Sequence, residues 1–231
     1  MSGDSFAIFN AIRLALKAID ASGLTTAERD GIGANINRNS FFSAGVNNEN
    51  LLEKMRGYIV EAVEGESGFH RDDFLKKMRE ILNITDEDAP FTGVKKIESD
   101  QRLYLIYDTQ TAMAQGEADY ELFNNPDLAE LFPAQELLRV EWRKDPRDWR
   151  KIWREAGGQF YNGRMIAKRN DPIWTRISDF GNPYPPFKYN SGMGVEDIPF
   201  LEAVELGVID EDYVAPANTP LARGDELQFG I

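Results

Sequence analysis

The sequence predicts an α+β protein, predominantly helical, with a helical N-terminal part and a small mixed α/β C-terminal part. Three observations carry this. Apolar residues recur at spacings of three and four through the first half of the chain, the period switches to two at "LLRVEWRK", and Gly, Pro and Asn concentrate after the switch. With 231 residues, 42% of them hydrophobic, the chain can bury a core in one domain or in two small ones.

In chain order, Phe6, Phe9, Ile12, Leu16 and Ile19 make one apolar helical face, with Ser22-Gly23 as its expected stop. Thr25 and Glu28 have capping-box spacing and open a short second helix. Leu52, Met55, Ile59 and Val63 form the next stripe, ending at Gly65, and Phe74, Met78, Ile81 and Leu82 the one after it. These stripes are core faces. "NITDEDAPFTGVKKIES" collects turn formers and acids and reads as a linker over 84–99; it lacks the alternating ligands of a calcium loop. Leu103, Ile106, Tyr107 and Ala114 then define a helix expected to close at Gly116, with "ADYELFNN" as a separate helix before Pro126.

Leu138, Val140 and Trp142 alternate with Arg139, Glu141 and Arg143, as in a half-buried strand. In "DPRDWRKIWREAGG" the period returns to helical, with Trp149, Ile152 and Trp153 on one face and the glycines as the stop. "QFYNGRMIAK" is turn-and-strand-like. Phe200, Leu201, Val204 and Leu206 start a last short helix, after which the chain turns acidic and rich in Pro and Gly. The expected organisation is a helical region over 1–83, the linker, a core over 100–198 and an acidic tail over 199–231.

Composition narrows the chemistry. Cysteine is absent and histidine occurs once, at His70, which removes thiolate nucleophiles, disulfides, cysteine zinc motifs and most histidine relays. His70 follows Phe69 at a helix start and reads as a surface or capping residue. No apolar run approaches a membrane span, and the charged N-terminus is unlike a signal peptide, so a soluble protein without a membrane partner is expected. The net charge is −13, yet Arg139 to Arg176 holds eleven Lys/Arg against five Asp/Glu, whereas Val195 to Ile231 holds one against nine. Such asymmetry suits mutual packing of the two stretches, solvated faces, or a surface that meets phosphates or a partner.

Five stretches in order then resemble a known family: "SFFSAGVNNENLLEKMRGYIVEAVEGESGFHRDDFLKKM", "RLYLIYDTQTAMAQG", "VEWRKDPRDWRKIWREAGGQF", "NDPIW" and "YPPFKYNSGM". Over roughly Ser40 to Asp197 the chain resembles the phage Mu F-like head morphogenesis (minor head) proteins, whose core the 100–198 region would be. The resemblance implies a non-enzymatic phage or prophage minor head protein. It would assist prohead assembly near the portal vertex, in the virion head, after synthesis in the host cytoplasm. It implies the portal protein and the major capsid protein as partners and leaves contact with packaged double-stranded DNA open. This chain departs from the family where relatives carry a histidine before the glycines and a "CRC" after the prolines. Trp153 and Asn190 to Met193 stand there instead, so no metal, cofactor or catalytic residue is carried over.

Two site readings follow. Arg143, Lys144, Arg147, Arg150, Lys151 and Arg154, interleaved with tryptophans, are the candidates for a backbone-tracking nucleic-acid contact. Against it, the helical spacing of the tryptophans favours core packing, with the cations paired to Asp145, Asp148 and Glu155. In "DPIWTRISDFGNPYPPFKYNSGMG", Pro185 and Pro186 fix an extended path, and Trp153, Trp174, Tyr184 and Phe187 are the expected anchors of a rigid loop or docking surface. The alternative class is an enzyme, a nuclease or transferase acting on or delivered with the phage genome. Its acids, Glu196-Asp197 and Asp210-Glu211-Asp212, are adjacent and diverge, which suits a solvated face better than a magnesium site.

Overall fold

The computed structural model describes residues 11–29, 39–64, 70–84, 96–123 and 125–216. They fall into two compact units, one within Met1–Gln115 and one within Gly116–Ala222. The fold is α+β and mostly helical.

The first unit follows its helical periodicity. Helix α1 is described over residues 11–15, α2 spans Thr26–Arg29, α3 Glu49–Glu64, α4 Arg71–Leu82 and α5 Asp100–Phe123, the last continuing into the second unit. Leu52, Met55 and Ile59 of α3, Phe74 and Met78 of α4, and Leu103, Ile106 and Ala114 of α5 share one core. Arg79 on the last turn of α4 forks onto Asp100 on the first turn of α5, with Nε–Oδ1 at 3.0 Å and Nη2–Oδ2 at 2.6 Å. The planar guanidinium matches both carboxylate oxygens, so this pair sets geometry as well as charge. The Thr25–Glu28 capping box forms as spaced: Thr25 N–H donates to Glu28 Oε2 at 2.8 Å and Glu28 N–H to Thr25 Oγ1 at 3.3 Å.

Two expectations fail here. The N-terminal stripe is displaced: Ala11 and Leu14 are buried, while Ile12 and Leu16 are 52% and 73% exposed. Phe6 and Phe9 lie outside the described residues, and α1 stops before Ser22-Gly23 because the chain turns into strand β1 (Ala18–Ile19). That strand pairs in parallel with β2 (Ser40–Phe41), a two-residue contact too short to leave a periodic signal. Of the expected linker, residues 85–95 lie outside the described residues, as does Gly65.

In the second unit α5 runs through Gly116 without a break, and "ADYELFNN" is its continuation to Phe123. Glycine is required at 116 for closeness, not for a stop: a Cβ there would lie 2.0 Å from the Pro185 carbonyl oxygen. Helix α6 (Pro126–Leu131) is capped by Asn125 and leads into strand β3 (Ala134–Arg139). The strand therefore begins earlier than the alternation suggested. Its buried residues include Leu137, and Val140 and Trp142 lie beyond its end and are exposed.

Helix α7 (Trp149–Glu155) is followed by strands β4 (Phe160–Tyr161) and β5 (Arg164–Lys168). Asn162 and Gly163 both take positive φ, the two-residue turn that matches hairpin twist. Helix α8 (Ile173–Arg176), strand β6 (Met193–Ile198) and helix α9 (Phe200–Glu205) complete the unit. The sheet order is β4-β5-β3-β6, with β3 antiparallel to both neighbours. In α9 the buried residue is Ala203, followed by Val208 and Ile209, whereas Leu201 is 75% exposed. The tail beyond residue 216 lies outside the described residues.

Candidate functional site

Trp149 and Trp153, four apart on α7, both face the core, as their spacing implied. Asp148 caps the helix by accepting from Lys151 N–H at 3.0 Å, and Gly158 closes it by donating to the Trp153 carbonyl at 2.8 Å. Trp153 is fully buried and donates from Nε1 to the Gln159 carbonyl at 2.7 Å. Its ring meets Trp174 edge-on at 5.4 Å, and Trp174 stacks on Phe187 at 5.9 Å. Trp174 is satisfied in turn by the Lys168 carbonyl at 2.8 Å. Trp153 and Trp174 thus keep their aromatic area and lose no hydrogen bond, whereas the Trp149 indole N–H is buried without a partner among the described residues.

The proline–aromatic segment closes around this stack. Tyr184 is buried against Tyr120 of α5 at 5.6 Å, and the Pro185-Pro186 bond is cis. Ser178 Oγ accepts from Phe180 N–H and Asn182 N–H, and Asp179 N–H donates to the Phe187 carbonyl at 2.8 Å. Trp174, Tyr184 and Phe187 thus face inward, and Pro185 and Pro186 are half-buried behind them. As described, this segment's large side chains are committed to the interior of its own unit.

The cations of the basic stretch divide into two groups. Arg150 donates to the Gly163 carbonyl at 2.7 Å and lies over the Phe160 ring at 4.7 Å, with Arg154 over the same ring at 5.8 Å. Lys151 pairs with Glu155 at 3.8 Å, and both ends of that pair are well exposed. Arg143 folds back on its own loop, pairing with Glu141 and donating to the Asn190 carbonyl at 3.3 Å. Lys144 and Arg147, by contrast, are exposed and make no side-chain hydrogen bond or ion pair with another described residue. Between Val140 and Asp148 the chain forms an outward loop carrying Trp142, 79% exposed.

That loop is held at its base. The Gly192 carbonyl accepts from Val140 N–H at 3.0 Å and Glu141 N–H at 3.1 Å. Gly192 has φ +62°, and a Cβ there would lie 2.7 Å from the Glu141 carbonyl oxygen. At the other end, Trp149 is buried in the core. The proline–aromatic segment therefore does a second job: it anchors the loop that presents Trp142.

Two arginines elsewhere in the unit tie its elements together, whereas Asp210, Glu211 and Asp212 are exposed. Arg164 bridges Glu136 on β3 and Glu202 on α9, both at 2.6 Å, and these two carboxylates hold its guanidinium even more firmly protonated than usual. Buried Arg169 pairs with Asp197, donates to the Phe132 carbonyl at 3.0 Å and faces the Phe123 ring at 5.2 Å. Glu196 and Asp197 diverge along β6, and Asp197 is taken by Arg169 and by Gln135 at 3.0 Å.

In the first unit, His70 is exposed at the start of α4, where its N–H donates to Asp73 at 2.9 Å. Among the described residues, no group of three or more His, Asp or Glu side chains is placed to hold a metal ion. Among them, too, no helix is long and apolar enough to cross a membrane.

Sequence reasoning identified the basic stretch but not which residue of it is presented. Alternation places Trp142 on a strand face, and the signal that marks it as loop is "RKDPRD", a turn-rich run beginning one residue later. Comparison with family models, with curated proteins and with solved structures finds no match for this chain.

Proposed function

We propose that this chain is a phage or prophage minor head protein that assists prohead assembly near the portal and works through its surfaces. One observation carries the reading. The three C-terminal stretches of the resemblance, around Trp153, Trp174 and Phe187, are separated in sequence yet meet in one aromatic core. Packing of these three stretches into one core supports reading them as parts of a single domain, as the resemblance implies. The portal protein and the major capsid protein are its proposed partners, in the head interior or at the portal vertex.

The experiment is co-sedimentation. The chain, co-expressed with a portal protein and a major capsid protein, is expected to travel with proheads and to leave them only on disassembly. A chain that stays in the free fraction at every stage of assembly overturns the proposal.

A further inference from the structure

We propose that the Val140–Asp148 loop binds single-stranded nucleic acid, with Trp142 stacking on an unpaired base and Lys144 and Arg147 neutralising the phosphates beside it. The inference starts from an asymmetry among the four tryptophans. Trp149, Trp153 and Trp174 are buried, while Trp142 is 79% exposed on a loop whose base is fastened by Gly192 and by the capped start of α7. Scattered exposed aliphatic residues are ordinary on a protein surface. An indole carried outward on a loop fastened at its base presents an open flat aromatic face, which is what a stacking platform needs.

The charge around it selects the occupant. In a chain of net charge −13, Lys144 and Arg147 lie two and five residues beyond Trp142, exposed and without another described partner, and outnumber the exposed Asp145 between them. Arg150 is engaged by the Gly163 carbonyl and Phe160, while Arg154 over the same ring and Lys151 in its exposed pair with Glu155 lie farther along α7 from Trp142. An acidic peptide would satisfy the two cations but offers no flat ring to the indole. A duplex offers phosphates but keeps its base faces covered by their neighbours. A single strand supplies both an anion and an open base face. The chain's overall negative charge opposes general adherence, so binding is confined to this loop and is salt-sensitive.

This inference stands apart from particle assembly, because strand binding is a property of the purified chain. The test uses a fluorescein-labelled dT oligomer of about 12 nucleotides and follows anisotropy together with iodide quenching of tryptophan emission. The strand should shield Trp142, the one indole iodide can reach well. W142A should weaken binding roughly ten-fold, within the range of a lost base–aromatic stack, and W142F should retain most of the affinity.

Two phosphate contacts predict a slope of log K against log salt of about −1.4, which K144A/R147A should bring close to zero. A duplex of the same length should bind more weakly and be indifferent to W142A. An unchanged urea midpoint would show that the loop variants remain folded. Absence of dT binding at low salt, or affinity untouched by W142A, overturns the proposal. So does stronger shielding of Trp142 by a poly-glutamate peptide, which would assign the loop to an acidic protein partner.

Discussion

Helix α5 offers a paired test in which secondary-structure propensity and tertiary packing predict opposite signs. Gly116 sits inside this helix, where replacing glycine by alanine ordinarily stabilises by about 1 kcal/mol. A Cβ at 116, however, would lie 2.0 Å from the Pro185 carbonyl oxygen and 3.1 Å from both the Pro185 carbonyl carbon and Tyr184 Cδ2. Ordinary contact to an oxygen begins near 3.4 Å, so helix and loop must separate by more than an ångström. Overpacking of this kind costs about 1–3 kcal/mol or more, since the obstacle is backbone and cannot rotate away.

Gly116→Ala should therefore be destabilising by about 2 kcal/mol, lowering Tm by roughly 8 °C for a unit of about 100 residues. Gly57 is the control: it lies inside α3, is exposed, and nothing approaches its prospective Cβ within 4 Å. Gly57→Ala should be stabilising by about 0.5–1 kcal/mol. All four tryptophans lie beyond Gly116, so their fluorescence in urea follows the second unit, while far-UV circular dichroism also sees the first. A Gly116→Ala protein as stable as the parent would refute the close approach of the Pro185 carbonyl to α5.

Four further outcomes are expected. Arg169→Met should cost about 3–5 kcal/mol in urea unfolding, because it removes Asp197's charge partner and the donor to the Phe132 carbonyl, and Arg169→Met/Asp197→Leu should recover part of that loss. Trp153→Ala should cost about 3–5 kcal/mol by the same assay, since it empties a fully buried end of the aromatic stack against Trp174. Glu202→Gln should weaken the attachment of α9 by about 1 kcal/mol or less, since the Arg164 pair is partly exposed. The Tyr104 hydroxyl is pushed above the usual phenol range, first by burial and then by its hydrogen bond to Asp72. Because the raised group favours the neutral folded form, its contribution is intact below pH about 10 and is lost as pH climbs through the folded value. Absorbance titration of Tyr104→Phe should lack one late-ionising tyrosine.

The sequence reveals this fold best where burial follows a local period. Leu52, Met55 and Ile59 on α3, Phe74 and Met78 on α4, and Trp149 with Trp153 on α7 are buried as spaced, because each face is set by helix geometry alone. It fails where a distant segment decides. Gly116 looks like a stop until Pro185, 69 residues on, is seen against it. The frame of β3 is fixed by its partners β5 and β6, so alternation through Leu138, Val140 and Trp142 pointed to the wrong rows. At the N-terminus Ala11 and Leu14 turn inward in place of Ile12 and Leu16, a choice made by the neighbours they meet. The same holds for the candidate site. Its basic composition is plain in the sequence, but the division between occupied cations and the exposed Trp142, Lys144 and Arg147 arises from Phe160, Gly163 and Gly192, none of them adjacent.

The central place of β3 also has a consequence for synthesis. Its hydrogen-bonding partner along one whole edge, β6, begins at Met193, 54 residues after β3 ends at Arg139. At ribosomal rates of about 5–20 residues per second, that edge waits roughly 3–10 s for its complement. During this interval a half-paired strand, carrying Leu137 and Leu138, is available to any neighbouring chain. A truncation anywhere before β6 would leave it so permanently, and stalled or C-terminally clipped products of this gene should aggregate while the full-length chain does not.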